Sequence, residues 1–354
     1  MNLVIGLGPP EHRRAIIGGV SEPRTSSSWR RLTGAAVLAA VLAAAASSVL
    51  SVPDAPGAAG GTRYVSPGGH DRGDCRRAHP CATFDAAVRA ARAGDIVEVA
   101  PGAYGDQEIR SVPRPGRGRV VLRPARRGAK VDVGNLVVLG RHVEVRDMRV
   151  GAAKAGPGAR DITFRRLRMH GLFITSASRI RVIGGDVGPG VNVNPEIKSA
   201  TGSHVPPRDI LIEGVRFHDW TRTNPSAHVE CLHVMTVDGL IVRRSRFSNC
   251  EAFDILFTRY GQAGPPRHVV IEHNRMSCCR SGYYALLIAG PDGTRWNDVL
   301  IRANHSDKPF GVRPGAVWTN VRFVGNSAPS LNPLLCHLPG VRFTRNRWRR
   351  RSAC

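Results

Sequence analysis

Apolar and polar residues alternate in short runs that recur along the chain from about Val143 to Trp348. Each run opens on an apolar anchor, and the residue two positions later is apolar as well. The nine anchors are Val143, Ile162, Ile180, Ile210, Leu240, Val269, Val299, Val321 and Val341. A period of two predicts β-strands with one buried face. The seventh residue after the anchor is again mostly apolar, so each unit predicts a strand, a tight bend and a second strand.

Successive anchors lie 18 to 30 residues apart, and helical periodicity is absent. Such a period indicates a solenoid of stacked coils. A Leu-rich consensus is missing, so we predict an all-β fold, a right-handed parallel β-helix, rather than a leucine-rich repeat. The last four units carry Asn five residues after the anchor, at Asn274, Asn304, Asn326 and Asn346. We predict that these amides form a structural hydrogen-bonded ladder from coil to coil.

The segment before the repeats predicts a cap over the open apolar end of the solenoid. Thr83 is expected to cap a short helix that Gly94 ends. The apolar face of this helix consists of Phe84, Ala87, Val88 and Ala91. The sequence IVEV, residues 96–99, alternates as the first strand. Residues 102–140 and 151–158 are rich in Arg, Pro and Gly and predict turns between early coils.

Two stretches of this segment, YVSPGGHD and PCATFDAAVRAARAGDIVEVAPGAY, carry a family resemblance. They resemble the N-terminal cap of secreted right-handed parallel β-helix proteins of the pectate-lyase-like superfamily, and with the repeats the resemblance covers residues 63–348. It implies the fold and export. The superfamily holds uronate lyases, glycoside hydrolases, epimerases and phage tailspikes, so the resemblance implies no single reaction. The catalytic signatures of polygalacturonases, mannuronan epimerases and calcium pectate lyases are absent, and no active site is carried over.

Residues 1–60 are predicted to be an export signal and linker, and residues 61–354 the β-helix domain. Arg30 and Arg31 precede an Ala-rich apolar run, and a Pro/Gly-rich stretch follows it. That order is typical of a secretory signal. We expect a secreted monomer whose only membrane contact is through this segment. An N-terminal anchor facing outside is the alternative.

The chain has a formal net charge of +24, with 51 Lys and Arg, of which four are Lys. This charge favours an acidic polysaccharide or another polyanion as partner. The alternative is that the Arg residues only coat a solvated surface. Nucleic acid is not expected, because the chain is predicted to be exported and aromatic residues make up only 6% of it, too few for base-stacking platforms.

All eight Cys lie after residue 70, which suits an exported, oxidised protein. Cys250 and Cys279 each lie ten residues after an anchor, so adjacent coils are expected to stack them within disulfide reach. The predicted pairs are Cys75 with Cys81, Cys250 with Cys279, and Cys336 with Cys354.

Candidate chemistry concentrates in the three long coils of residues 207–290, because added loop length makes groove walls. Aligning Leu232 with Ile255 places His233 beside Leu256 and Cys231 beside Asp254. The catalytic candidates are His228, Glu230, His233, Asp254, Arg259 and Tyr260. The substrate-binding candidates are Trp220, Arg222, Tyr283 and Tyr284.

These residues fit β-elimination on a uronate, with His228 or His233 as base, Arg259 as carboxylate partner and Tyr260 as acid. A hydrolase with Glu230 and Asp254 as its carboxyl pair is the alternative. A non-catalytic polyanion-binding surface or adhesion module is another, in which the same groups form structural ion pairs and Trp220 covers a coil edge. No metal or other cofactor is expected with certainty. Zinc is disfavoured by the spacing of the two His, whereas Glu230 and Asp254 offer oxygen ligands for calcium.

Overall fold

The computed structural model describes residues 61–259, 263–282, 284–313, 315–331 and 338–349. They form a right-handed parallel β-helix with one short helix near its start. In chain order its elements are β1 (Thr62–Val65), α1 (Phe84–Ala90), β2 (Ile96–Val99), β3 (Gly102–Tyr104), β4 (Gln107–Ile109), β5 (Val120–Pro124), β6 (Val131–Val133), β7 (Leu136–Val138), β8 (Arg141–Arg146), β9 (Arg149–Ala155), β10 (Arg160–Thr175), β11 (Ser178–Val187), β12 (Gly190–Val191), β13 (Glu196–Lys198), β14 (Arg208–Glu213), β15 (Arg216–His218), β16 (Trp220–Thr221), β17 (Leu232–Val234), β18 (Asp238–Arg243), β19 (Arg246–Ser248), β20 (Ile255–Phe257), β21 (Arg267–Glu272), β22 (Arg275–Ser277), β23 (Leu286–Ile288), β24 (Arg295–Arg302), β25 (His305–Ser306), β26 (Phe310–Val312), β27 (Val317–Val324), β28 (Ser327–Ala328), β29 (Val341–Thr344) and β30 (Arg347–Trp348).

Apart from β12 and β16, which pair with each other, the strands stack in three parallel sheets, because a full coil contributes one strand to each. The first sheet holds β1, β2, β5, β8, the starts of β10 and β11, and then β14, β18, β21, β24, β27 and β29. The second holds β3, β6, the start of β9, the middle of β10, the end of β11, and β15, β19, β22, β25, β28 and β30. The third holds β4, β7, the ends of β9 and β10, and β13, β17, β20, β23 and β26.

The nine anchors lie directly beside one another in the first sheet, so the predicted register is confirmed. In all but the last of these coils, the anchor and the residue two positions later are at most 3% exposed. Each such Val, Ile, Leu or Phe side chain stabilises the fold by about 1.5–3 kcal/mol relative to its exposed state. A slip of one residue would turn this whole set out to solvent, and the alternation therefore determines the register.

The predicted tight bend and the asparagine ladder are both present. The backbone is left-handed four residues after the anchor, for example at His273 and Ala303, and the asparagine follows. The Asn304 amide donates to the Ile271 carbonyl at 2.8 Å and to Asn326 Oδ1 at 3.0 Å. The same pattern links Asn274 to Asn304, and Asn326 to Asn346. The ladder thus supplies partners for buried polar groups at the bend, where the sheets leave them unpaired.

The predicted cap helix is present, and it is shorter than expected. Thr83 is its N-cap, and the Thr83 hydroxyl accepts from the Ala86 N–H at 3.2 Å. The helix ends at Ala90 rather than at Gly94, because Ala91 already has extended backbone and its N–H closes the last turn on the Ala87 and Val88 carbonyls.

The β-helix also begins earlier than the repeats indicate. Residues 62–65 form a strand that pairs with residues 96–99, so the IVEV strand is the second strand and not the first. Residues 102–140, predicted as turns, contain five strands, β3 to β7. Short strands separated by Arg, Pro and Gly show too little alternation for the pattern to detect them.

Of the predicted disulfides, the Cys75–Cys81 bridge is present and the Cys250–Cys279 pair is wrong. Cys250 is joined to Cys231, and Cys279 to its neighbour Cys278. Cys231 and Cys250 are both fully buried and face the coil interior, whereas Cys279 is half-exposed, so equal spacing from the anchor does not bring Cys250 and Cys279 together. Cys336 and Cys354 lie outside the described residues.

The predicted export signal and linker, residues 1–60, also lie outside the described residues. Within the described part of the chain, the single helix spans seven residues, and no helix has the length and apolar character needed to cross a bilayer. The disulfides fit an extracellular protein, because such bonds persist in oxidising compartments.

Candidate functional site

His233 lies on the outer face of the third sheet, in the middle of strand β17. Its neighbours Leu232 and Val234 are fully buried, and strand alternation therefore turns the imidazole outward. In the adjacent coils Glu196 and Leu256 lie directly beside it. The pairing of His233 with Leu256 is the one that the sequence alignment predicted.

Glu230 lies just before this strand and is fully buried. Its backbone N–H donates to Asn194 Oδ1 of the preceding coil at 2.8 Å, which fixes the start of the strand. One carboxylate oxygen, Oε1, lies 2.9 Å from Nδ1 of the exposed His228. The other, Oε2, lies 3.9 Å from Nδ1 of His233. One buried carboxylate therefore connects two imidazoles, one by a hydrogen bond and one at ion-pair distance.

The outer nitrogen of His233 has a hydroxyl partner. Nε2 lies 2.9 Å from Oγ1 of Thr258, a residue of the next coil. Nδ1 is buried and has no hydrogen-bond partner among the described residues, and the same is true of Glu230 Oε2. His228, Glu230, His233 and Thr258 form a chain of acid–base groups, which we call the histidine cluster.

The imidazole pKa values in the histidine cluster move in opposite directions. The hydrogen bond that the His228 imidazole donates to the negatively charged Glu230 raises the pKa of His228 above its ordinary value, against burial and the nearby Arg222 cation. Burial lowers the pKa of His233, and the Glu230 charge only partly opposes this. The two shifts favour protonation of His228 over protonation of His233.

Asp254, a predicted catalytic carboxyl, faces the coil interior. It is fully buried, and its Oδ1 lies 2.9 Å from Sγ of Cys250. Burial raises the pKa of Asp254 well above its ordinary value, and the Asp307 charge adds to the effect. A disulfide sulfur has no hydrogen, so the hydrogen bond is donated by the protonated carboxyl. Asp254 directly precedes strand β20, so strand alternation does not determine which way its side chain points.

Trp220, predicted as a substrate-binding residue, does not lie on a binding surface. Its ring is fully buried, its Nε1–H donates to the Val187 carbonyl at 3.2 Å, and it packs on Gly190. The prediction is wrong, because Trp220 covers a coil edge. An indole ring is largely apolar, and burial with its single donor satisfied is its common role.

The structure describes three further candidates, Arg222, Arg259 and Tyr284. The Arg222 guanidinium donates to the Pro225 carbonyl at 3.1 Å and lies 3.4 Å from Glu251. Arg259 is exposed directly after Thr258. Tyr284 is half-buried, with its ring against Gly311. Tyr260 and Tyr283 lie outside the described residues.

Three residues of strand β13 and the preceding loop were missed by the sequence analysis. Asn194 anchors Glu230, and Glu196 lies beside His233. Lys198 extends from the same outer face and contacts Glu196 Oε2 at 2.5 Å. Aligning Ile197 with Val234 reveals all three, but the loop between the anchor and this strand differs in length by seven residues between the two coils. Thr258 was missed for the simpler reason that its strand was aligned only to Phe257.

The described residues provide few ligand atoms for calcium or zinc. The only group of three or more His, Cys, Asp or Glu residues whose ligand atoms converge in the described ranges is Cys231, Cys250 and Asp254. Its two sulfurs are joined in a disulfide and cannot ligate as thiolates. Glu230 and Asp254 belong to no common group of this kind, and calcium requires six to eight oxygen ligands. No step of the chemistry is assigned to a metal.

No protein-family model matches the chain, and no curated protein matches its sequence. An alginate lyase from Paenibacillus sp. str. FPU-7 superposes with a TM-score of 0.47 at 12% identity, over 80% of this chain and 99% of its own. The mannuronan C-5 epimerase AlgE6 A-module of Azotobacter vinelandii gives 0.44 at 10% identity, over 82% and 89%. A rhamnogalacturonan lyase gives 0.36 at 14%, over 82% and 87%. By the register of its own sheets and its capped first coils, this chain has a right-handed parallel β-helix fold.

Proposed function

We propose that this protein is a secreted polysaccharide lyase that cleaves a polyuronate by β-elimination. The observation that carries the proposal is the pair His228 and His233, linked through Glu230, with imidazole pKa values moved in opposite directions. Two titratable groups separated in this way are suited to act as acid and base in one reaction. The net charge of +24 agrees with an acidic polysaccharide as substrate.

His233 is the base of the proposed reaction. Its lowered pKa keeps the imidazole neutral, and Nε2, which faces Thr258, accepts the C5 proton of a uronate residue. The electron pair of the C5–H bond forms the C4–C5 double bond as the C4–O4 bond breaks. The leaving O4 takes a proton from the His228 imidazolium. Tyr260, the acid predicted from the sequence, is the alternative donor.

A cation beside the uronate carboxylate is needed, because the C5 proton is acidic only when that charge is neutralised. Arg259 suits this role: it is exposed directly after Thr258 and makes no ion pair with any described residue. Lys198 lies on the same sheet as His233, one coil earlier, and is the second cation within the proposed site. Arg222 lines the side of His228, where it adds positive charge.

The hydrolase alternative has less support. A glycosidase needs two carboxyl groups in contact with the glycosidic bond. Glu230 and Asp254 are both fully buried, and Asp254 lies against a disulfide inside the coil. The geometry therefore favours the imidazole pair over the carboxyl pair.

The proposal is tested by incubating the full chain with polygalacturonate, alginate and glycosaminoglycans, with and without a calcium chelator. Unsaturated-uronate absorbance and new reducing ends are followed together. We expect both to rise on a polyuronate and to persist in the chelator. Reducing ends without absorbance would replace the lyase by a hydrolase. No product on any polymer would refute both and leave the non-catalytic polyanion-binding module.

A further inference from the structure

A row of basic side chains follows the outer face of the second sheet. Its members share one coil position, six residues after each anchor, and pair directly from strand to strand. In order they are Arg149, Arg168, Asp186, Arg216, Arg246, Arg275, His305, Ser327 and Arg347. Neighbours in such a row are about 4.8 Å apart. We call it the arginine row.

The first half of the arginine row has carboxylate partners within the protein, whereas in the second half only His305 has one among the described residues, Asp307 at 3.7 Å. Arg216 contacts Asp186 at 2.6 Å, and Arg168 lies 3.9 Å from the same carboxylate. Arg246 and Arg275 are exposed, and neither side chain has a hydrogen bond or an ion pair with any residue in the described ranges. Two adjacent guanidinium groups therefore face solvent without a counter-charge.

On the first sheet of the same molecule, arginines in one row are instead paired with acidic residues of neighbouring coils. There Arg243 pairs with Glu213 at 2.9 Å and Arg302 with Glu272 at 2.5 Å, so that acid and base alternate from coil to coil. Like charges side by side in a sheet destabilise it, and opposite charges stabilise it. The uncompensated half of the arginine row opposes folding in the free protein, and a bound row of anions would offset that cost.

The other end of the arginine row opens into a basic groove of about 1070 Å³. One wall is the loop after β5, where Arg126, Arg127 and Lys130 are exposed and have no carboxylate partner among the described residues. The opposite side is formed by Arg149 and Arg168 of the row itself. Unpaired positive charge thus occurs beside the start of the arginine row and again in its middle, at Arg246 and Arg275.

We propose that the arginine row is a second binding track, separate from the histidine cluster, for a linear polysaccharide with one carboxylate on each sugar. Guanidinium groups and carboxylates form short, charge-assisted and often bidentate hydrogen bonds, so the exposed Arg246 and Arg275 suit the carboxylates of such a chain. Beside the row, Ser248 and Ser277 offer hydrogen bonds to sugar hydroxyls. The row itself contains no Phe, Tyr or Trp side chain on which a nucleic acid base would stack. The track does not depend on the proposed reaction.

The test uses the full chain carrying His233→Gln, so that the polymer stays intact, with polygalacturonate as the probe. Arg246→Gln/Arg275→Gln removes the free charges of the row. Arg322→Gln/Arg342→Gln is the matched control, because these two Arg residues are also exposed, adjacent in register and unpaired with any described residue, but lie on the first sheet. Binding is measured by titration calorimetry over a range of salt concentrations, with dextran as the neutral blank and polyphosphate as a second anion.

We expect the row variant to bind polygalacturonate about three- to tenfold more weakly, as two exposed charge pairs imply, with a shallower salt dependence. The control should change binding less than twofold. Equal losses in both variants would reduce the effect to net charge and overturn the track, as would no loss in the row variant. If the row variant lost affinity for polyphosphate but not for polygalacturonate, the assignment of a polysaccharide as the ligand would be overturned. Loss of binding in a protein that cleaves nothing would uphold the track while refuting the lyase.

Discussion

The asparagine ladder and the histidine cluster are both polar groups that the coil stack has removed from water. Asn274, Asn304 and Asn326 are at most 2% exposed, and Glu230 is fully buried. In the ladder, the side-chain oxygens of Asn304 and Asn326 each accept from the backbone N–H and the amide of the asparagine one coil earlier, and the Asn274 oxygen accepts from the Ser245 N–H. Each amide also donates to a backbone carbonyl. Every polar atom of these amides has a partner.

The histidine cluster has no such completeness. Glu230 Oε2, His233 Nδ1 and the Oδ2 of nearby Asp254 are buried without a hydrogen-bond partner among the described residues. An unpaired buried polar atom costs about 1–3 kcal/mol. The comparison teaches that the fold is stabilised where its polar groups are satisfied, and that candidate chemistry lies where they are not.

The largest expected effect is the loss of polyuronate cleavage in His233→Gln. Removing a general base lowers the rate by about 10²- to 10⁴-fold, whereas the thermal midpoint should change little. His268→Gln is the control, because His268 also contacts a carboxylate, Asp238, at 2.7 Å but lies on the first sheet. Initial rates and thermal unfolding of both variants check the prediction. Equal activity in the two variants would remove His233 from the reaction.

For the asparagine ladder we expect the reverse, a loss of stability without a loss of cleavage. Asn304→Ala leaves the Asn274 amide, its N–H and the Ile271 carbonyl without their partner. The cost should be about 2–4 kcal/mol of unfolding free energy, with cleavage intact below the new midpoint. Asn297→Ala, which removes an exposed amide of β24 that has no side-chain hydrogen bond with any described residue, should cost less than about 1 kcal/mol. Denaturant titration and amide hydrogen exchange measure the loss of stability in both variants. Equal losses of unfolding free energy would contradict a structural role for the ladder.

Asp254→Asn should stabilise the protein, and increasingly so as pH rises. The folded-state pKa of Asp254 is raised, so its contribution is greatest below the unfolded-state pKa and is lost as pH rises above it. Asparagine cannot ionise, and the advantage of the variant should grow by up to about 1.4 kcal/mol per pH unit above pH 4. Thermal midpoints from pH 4 to 8 test this. Asp132→Asn, at an exposed site, should show no such trend.

The smallest effect concerns the two imidazoles. Glu230 raises the pKa of His228 and also raises that of His233 against burial. Glu230→Gln should therefore lower both pKa values and move the alkaline limb of the pH–rate profile to lower pH. NMR titration of the imidazole signals measures this directly. A pKa of His228 that stays raised in this variant would contradict the role of Glu230 as the connecting charge.

Much of the fold was predictable from the sequence, because its determinants are local. The anchors, the alternation after them and the asparagines five residues on repeat at the same coil position, so one coil's pattern specifies how the next one stacks. The Cys75–Cys81 bridge closes a short loop and was found for the same reason. His233 beside Leu256 followed from the alignment of equal strands.

The site was predictable only in part, because it is built where the coils are irregular. Loops of unequal length decide that Glu196 lies beside His233, that Cys250 meets Cys231, and that Trp220 is covered. A strand's period says which residues share a face, but it cannot say which way a side chain turns before the strand begins, and Asp254 and Glu230 both lie at that point.

By itself, the sequence determined the sheet register, the ladder, the cap and the excess of positive charge, since each follows from residue type and period. Only the tertiary structure decided which charges are neutralised, which polar atoms are left unpaired, and which cysteines meet. Those outcomes depend on distances between coils that insertions change, and on burial, which belongs to the assembled solenoid and to no single repeat.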